Sequence, residues 1–382
     1  MSDKKITERF DALTGIRILA AAAVFLSHIG KPEFLPNAVS TFMTSGYNGV
    51  TTFFILSGFV LAWNYGDRIL PLNRSTLWSF SVARFARIYP LYVLVLLAVV
   101  APKVVGGEFD PLMILHATAL QAWSGNSQHA FAYNGPGWSV SVELFLYACF
   151  PIVMLILAKI RNRRRVLLVI ATVIIIAAFV FAWWFVASGR ADLPTTDPNS
   201  AHRWLYRMPL LRLGDFTLGV IIAMVLRISR PSVRIAVAAQ VLGCVSSILL
   251  MCNQQLVLTA WTFDAAYMLP TALLIWGLAS APRTGIARPL ATKPMVLFGE
   301  ASYAFYLLHF PIIVKLPVDT DSALLWAVGT VAQFALILLL AIGAHFMIER
   351  PAQKWLRRAL DRRKPTSRAA PRVGDVTVPP LR

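Results

Sequence analysis

The chain has 382 residues, of which 57% are hydrophobic and only 14% charged, and its mean hydropathy is +0.64. That balance excludes an ordinary soluble domain. The formal charge of +18 invites a nucleic-acid reading, but the distribution of the basic residues follows membrane topology instead.

Ten apolar runs have spanning length: 13–30, 46–65, 86–102, 138–158, 166–187, 208–226, 235–252, 258–280, 296–316 and 323–347. They predict an all-α, polytopic integral membrane protein with about ten transmembrane helices. The N-terminal tail, the even-numbered connections and the C-terminal tail hold 28 of the 36 Lys and Arg residues. Lys31, Lys103, Arg190, Arg203, Arg207 and Lys315 lie in the other connections, and Arg17 and Arg212 fall within spans. The positive-inside rule then places both termini in the cytoplasm. Residues 1–355 are expected to form one transmembrane domain. Residues 356–382, basic and without periodicity, are expected to form a disordered cytoplasmic tail beside anionic lipid.

The first span carries Arg17 and His28. Ionisable residues are costly in a membrane helix, and each is a functional-site hypothesis by default. Eleven residues make almost three turns, so both side chains lie on one face, about 16 Å apart along the axis. Arg17 in the apolar core also argues against a cleaved signal peptide. In the second span, Ser57 and Gly58 permit close helix packing. Arg84 and Arg87 follow at the next helix mouth, spaced i,i+3 on one face, with Pro90 a turn later. Guanidinium forks there suit phosphate oxygens, with lipid anchoring as the plainer reading. Pro111 to Trp123 is amphipathic and too short to span, which suits the outer interface.

The fourth span opens on Trp138-Ser-Val-Ser141-Val-Glu143 and runs inward, which puts Glu143 within about two turns of the outer surface. Glu143 is expected to orient His28, the expected base; a carboxylate fixes the tautomer of an imidazole and raises its basicity. Arg212 is a further buried cation, with Asp215 one turn on as its partner. In the ninth span Tyr306 and His309 precede Pro311, which frees the carbonyl of Leu307. His309 then shares the outer layer with His28 and Glu143. No metal is expected, because neither His28 nor His309 has a second ligand at i+3 or i+4. Cys149, Cys244 and Cys252 all fall in spans and suggest no disulfide framework. The last span ends at Ile348-Glu-Arg-Pro-Ala-Gln-Lys354, read as a structural helix end.

Six of these patterns, in this order, resemble the acyltransferase-3 family of membrane-bound O-acyltransferases. They are Arg17-x10-His28, the run from Phe53 to Phe59, Arg84-x-x-Arg87-Ile-Tyr-Pro90, Trp138 to Glu143, Ser302 to Pro311, and Glu349-Arg-Pro351. The resemblance covers about residues 10–355. It implies a ten-helix enzyme of the bacterial inner membrane, without a fused SGNH domain. Such an enzyme moves an acyl group, usually acetyl, from cytoplasmic acyl-CoA to a hydroxyl of an envelope or exported saccharide. Macrolide O-acyltransferases and O-succinyltransferases share this layout. His28 and Glu143 would be catalytic, Arg17, Arg84 and Arg87 would bind the donor, and His309, Tyr306, Trp138 and Ser141 would line the cavity or contact the acceptor. Acyl-CoA would be a substrate and no cofactor would be bound; the partners would be the saccharide acceptor and membrane lipid. The alternative is a proton-coupled exporter with His, Glu and Arg as its relay, against which no inverted repeat is visible.

Overall fold

The computed structural model describes residues 9–362, and the regular structure there is helical throughout. The long helices are α1 (Asp11–His28), α2 (Gly49–Ile69), α3 (Arg74–Val105), α4 (Trp138–Ala158), α5 (Arg164–Ala187), α6 (Pro209–Ile228), α7 (Val233–Cys252), α8 (Ala265–Ser280), α9 (Lys293–Lys315) and α10 (Ala323–Ala344). Among the described residues nine helical stretches are long and apolar enough to cross a membrane, and α8 has only 16 residues. The run at 258–280 therefore becomes helical only in its second part. Its first part is a turn in which Thr262 donates to the Leu256 carbonyl and Thr259 N–H donates to the Thr262 hydroxyl. Side-chain bonds of this kind offer the backbone an alternative to the helix. After a π-turn at His345–Glu349 the chain continues as α11 (Arg350–Arg362). That helix enters the segment expected to be disordered; the rest of the tail lies outside the described residues.

Two helices form the centre of the bundle. α2 and α6 are mostly buried, whereas α5 and α10 present apolar side chains such as Val169, Ile176, Val331 and Leu339 outward. The central pair touches through glycines. A Cβ on Gly58 would lie 1.9 Å from the Phe216 carbonyl oxygen, and one on Gly219 would lie 1.8 Å from that of Ile55. Backbone meets backbone there, the packing mode expected of small residues in lipid.

The same pair is pinned by charge. Arg212 of α6 is fully buried; it donates to Asp215 at 3.0 Å, to Asp264, to the Thr51 hydroxyl at 3.3 Å, and to the carbonyls of Tyr206 and Phe263, each at 2.7 Å. The expected Arg212–Asp215 pair exists, and Asp264 completes it from the turn before α8. A buried cation satisfied on every side fixes geometry, and removing one partner typically costs about 3–5 kcal/mol.

The connection between α3 and α4 folds back over one end of the bundle. Its expected amphipathic stretch holds a short helix, Leu112–Ala117, and a 3-10 turn, Gln121–Trp123. Tyr92 donates to the His116 carbonyl at 2.7 Å, and Gln121 Nε2 donates to the Gly137 carbonyl at 2.7 Å. The stretch is thus hydrogen-bonded to α3 and to the start of α4.

A π-turn, His202–Arg207, leads into α6 on this side. The His202 ring packs 5.3 Å from Tyr206 and 5.4 Å from Phe263. Burial, reinforced by the Arg207 charge, lowers the His202 pKa to about 4. Between that value and the ordinary one of about 6.5, the unfolded chain binds a proton that the folded chain refuses. Stability contributed by neutral His202 is therefore present above pH 6.5 and is lost as the pH falls toward 4.

Two outcomes are expected. The apparent melting temperature of detergent-solubilised protein should fall between pH 6.5 and 4.5, and His202→Gln should flatten that slope. Gly58→Val should lower the melting temperature at every pH, by overpacking worth about 1–3 kcal/mol or more, because the obstructing atom is backbone.

Candidate active site

A cavity of about 570 Å³ lies among α1, α2, α3, α4, α9 and the turn before α11. On α2 its lining extends from Val50 to Asn64, about 21 Å at 1.5 Å per residue. Arg9, Glu300, Arg350 and Gln353 line it at one end, and Ser139 and Tyr306 line it toward the other.

Arg17, Arg84 and Arg87 all face this space. Arg84 is buried against Tyr65, donating to its hydroxyl at 2.9 Å, and its Nε has no partner among the described residues. Among the described residues none of the three arginines makes a salt bridge, and Arg17 and Arg87 make no hydrogen bond either. Three guanidiniums facing one cavity, none of them in contact with a carboxylate among the described residues, offer donors to an anion. Pro90 cannot donate to the carbonyl of Ala86, which loosens α3 beside the pair; the Tyr303 hydroxyl braces that turn by donating to the Ile88 carbonyl at 2.8 Å.

The structure separates Glu143 from His28. Glu143 lines the cavity, and its Oε1 accepts from the Ser57 hydroxyl at 3.2 Å and from the Tyr147 hydroxyl. The expected hydrogen bond to His28 is not formed. Instead the Nδ1 of His28 bonds the Val24 carbonyl at 2.8 Å, one turn back on its own helix. A carbonyl only accepts, so Nδ1 carries the proton and Nε2 keeps the lone pair. The helix backbone does the orienting that sequence assigned to a carboxylate.

His28 meets His309. Their rings lie 5.2 Å apart, edge to face, with Phe310 5.4 Å from His28 on another side. His309 is fully buried, its Nδ1 bonds the Tyr306 carbonyl at 2.6 Å, and its Nε2 has no partner among the described residues. It too presents a bare lone pair. The Leu307 carbonyl freed by Pro311 is taken by Asn134 Nδ2 at 3.1 Å. His28 is exposed at the end of α1 while His309 is enclosed. Two of the three ionisable groups expected in one layer thus meet, and the third lies in the cavity below.

Tyr306 separates the two places. It lines the cavity, its ring lies 5.6 Å from that of His309, and its hydroxyl donates to the Pro136 carbonyl at 3.3 Å. Trp138 and Ser141, expected in the lining, are elsewhere. Trp138 packs on Tyr206 at 4.8 Å, and the Ser141 hydroxyl accepts from Ala122 N–H at 3.4 Å. Ser139, Val140, Glu143 and Tyr147 are the α4 residues that line the space. They share one helical face, and Ser141, 200° from Ser139, points away.

The end of the cavity near α11 carries a polar network that sequence reading took as a plain helix end. His345 Nδ1 donates to Glu349 at 2.8 Å, Arg350 Nε donates to His345 Nε2 at 3.0 Å, and Arg350 also donates to Glu300 at 2.7 Å. The π-turn turns His345 and Glu349 toward the cavity, and such turns recur at functional sites. Tyr147 was detectable four residues after Glu143, on the same face; Glu300 and His345 had no comparable signal.

The family model described as an acyltransferase domain, acyltransferase 3, matches residues 10–350. The chain is 31% identical over 389 residues to the acyltransferase MdmB of Streptomyces mycarofaciens, covering 94% of this chain and 95% of that protein. It is 26% identical over 332 residues to the putative O-acetyltransferase SACOL0978 of Staphylococcus aureus, covering 79% of this chain and 50% of the relative. It is 23% identical over 366 residues to the O-acetyltransferase OatA of the same species, covering 90% and 57%. The chain thus spans about half the length of these staphylococcal relatives. No solved structure matches.

Proposed function

Because the chain belongs to the acyltransferase-3 family and is a multi-pass membrane acyltransferase, we propose that it moves an acetyl or similar small acyl group from cytoplasmic acyl-CoA to a hydroxyl of an envelope or exported saccharide, at the bacterial inner membrane. The observation that carries this reading is the set of three arginines without salt-bridge partners among the described residues, lining a cavity whose wall residue Tyr306 packs on His309, the neighbour of His28.

In this reading Arg84 and Arg87 hold the phosphates of the donor near the mouth, and Arg17 contacts its arm deeper in. Passage of the thioester beyond Tyr306 brings its carbonyl to the imidazole pair. His28 Nε2, free of a partner among the described residues, takes the proton of the acceptor hydroxyl, the oxygen attacks the thioester carbonyl, and the C–S bond breaks. The proton then passes from His28 to the departing thiolate. His309 and Tyr306 line the place where hydroxyl and thioester meet. The exposed position of His28 suits an acceptor that arrives from the face opposite the donor.

His28→Ala should lower release of free CoA from acetyl-CoA by about 10²- to 10⁴-fold, the usual worth of general-base help, in protein that elutes and melts like wild type. Wild-type turnover in that variant would exclude His28 as the base. Arg84→Gln and Arg87→Gln should raise the donor KM and leave kcat nearly unchanged, which steady-state rates over a range of acetyl-CoA would show. An unchanged KM would assign the pair to membrane anchoring.

A further inference from the structure

Glu143, displaced from the role sequence gave it, has a geometry of its own. Both hydroxyls that bind it, those of Ser57 and Tyr147, fall on Oε1. These two donors anchor Oε1, and among the described residues nothing donates to Oε2. Arg17 lines the same cavity and makes no salt bridge to Glu143. α1 and α4 each pack on α2 rather than on each other, so the guanidinium and the carboxylate come from different walls. A fixed anion and a cation left apart in a low-dielectric space call for something that bridges them.

We infer that Glu143 and Arg17 are an amide-reading pair for the peptide-like arm of the acyl donor, the carboxylate accepting its N–H and the guanidinium donating to its C=O. A trans amide directs these two groups to opposite sides. Reading one inside a channel therefore needs an acceptor on one wall and a donor on another. Phosphate is read by Arg84 and Arg87 nearer the mouth, whereas the amide pair selects the uncharged pantetheine portion. The inference rests on the acyl-CoA reading above, and it makes Glu143 a donor-binding residue rather than a partner of the base.

The test is steady-state kinetics with acetyl-CoA as donor and pantetheine, which has the amides but no phosphate, as competitive inhibitor. Glu143→Gln keeps an oxygen for Ser57 and Tyr147 but replaces the free acceptor with an N–H₂ donor. It should raise both the acetyl-CoA KM and the pantetheine inhibition constant about 10- to 100-fold, the worth of one charge-assisted hydrogen bond. The pH dependence of kcat should stay as in wild type. Arg17→Met should act in the same direction on both constants, and Arg84→Gln should raise only the acetyl-CoA KM. A Glu143→Gln enzyme with normal pantetheine inhibition, or with a displaced pH profile, overturns the amide pair alone, as does a wild type that binds acetyl-CoA but ignores pantetheine. A wild type that binds no acetyl-CoA overturns the donor assignment and this inference together.

Discussion

A guanidinium within a bilayer must find compensation, and this protein provides it in two different ways. Arg212 is surrounded by Asp215, Asp264, Thr51 and two backbone carbonyls, with no side-chain exposure. Arg17 has no contact carboxylate among the described residues and faces a cavity instead. The first solution is structural, because a charge satisfied on every side fixes the position of α6 against α2 and the turn before α8. The second leaves electrostatic potential available for a ligand. The rest of the bundle serves this division: a rigid, glycine-packed centre on one side, and a polar channel on the other.

That division also explains why the imidazoles do not need a carboxylate. At the end of α1 the backbone carbonyl of Val24 accepts from the His28 ring at 2.8 Å and from the Ser27 hydroxyl at 2.7 Å, using both lone pairs that a carbonyl offers. In α9, Pro311 leaves the Leu307 carbonyl to Asn134, and the Tyr306 carbonyl accepts from the His309 ring. Both histidines obtain a fixed tautomer from their own helices, with Nε2 bare. A neutral orienter suits a base in an apolar layer better than a second charge, whose own burial would need compensation. Glu143 is then free to face the cavity.

How much of this was legible in the sequence follows from the physics of each feature. Hydropathy placed the helices because the bilayer demands about twenty apolar residues per span whatever the neighbours are. It overextended the run at 258–280, where Thr259 and Thr262 bond the backbone locally and a turn displaces the first helical residues. Ser57-Gly58 pointed to close packing, and the α2–α6 contact has that character. The i,i+3 spacing of Arg84 and Arg87 put both on one face, and the structure turns that face to the cavity.

What the sequence determined by itself, then, is whatever depends on one helix at a time: span positions, the family patterns, the shared face of Arg17 and His28, and the pairing of Arg212 with Asp215 one turn away. The tertiary structure alone decided which faces meet. It joined His28 to His309 across α1 and α9, gave Glu143 to Ser57 of α2, turned Trp138 and Ser141 away from the cavity, and brought Glu300 and His345 to its mouth. These are contacts between segments far apart in the chain, and helix rotation about its own axis sets them. A shift of one residue turns a side chain by 100°, and only the packing of neighbouring helices fixes that angle.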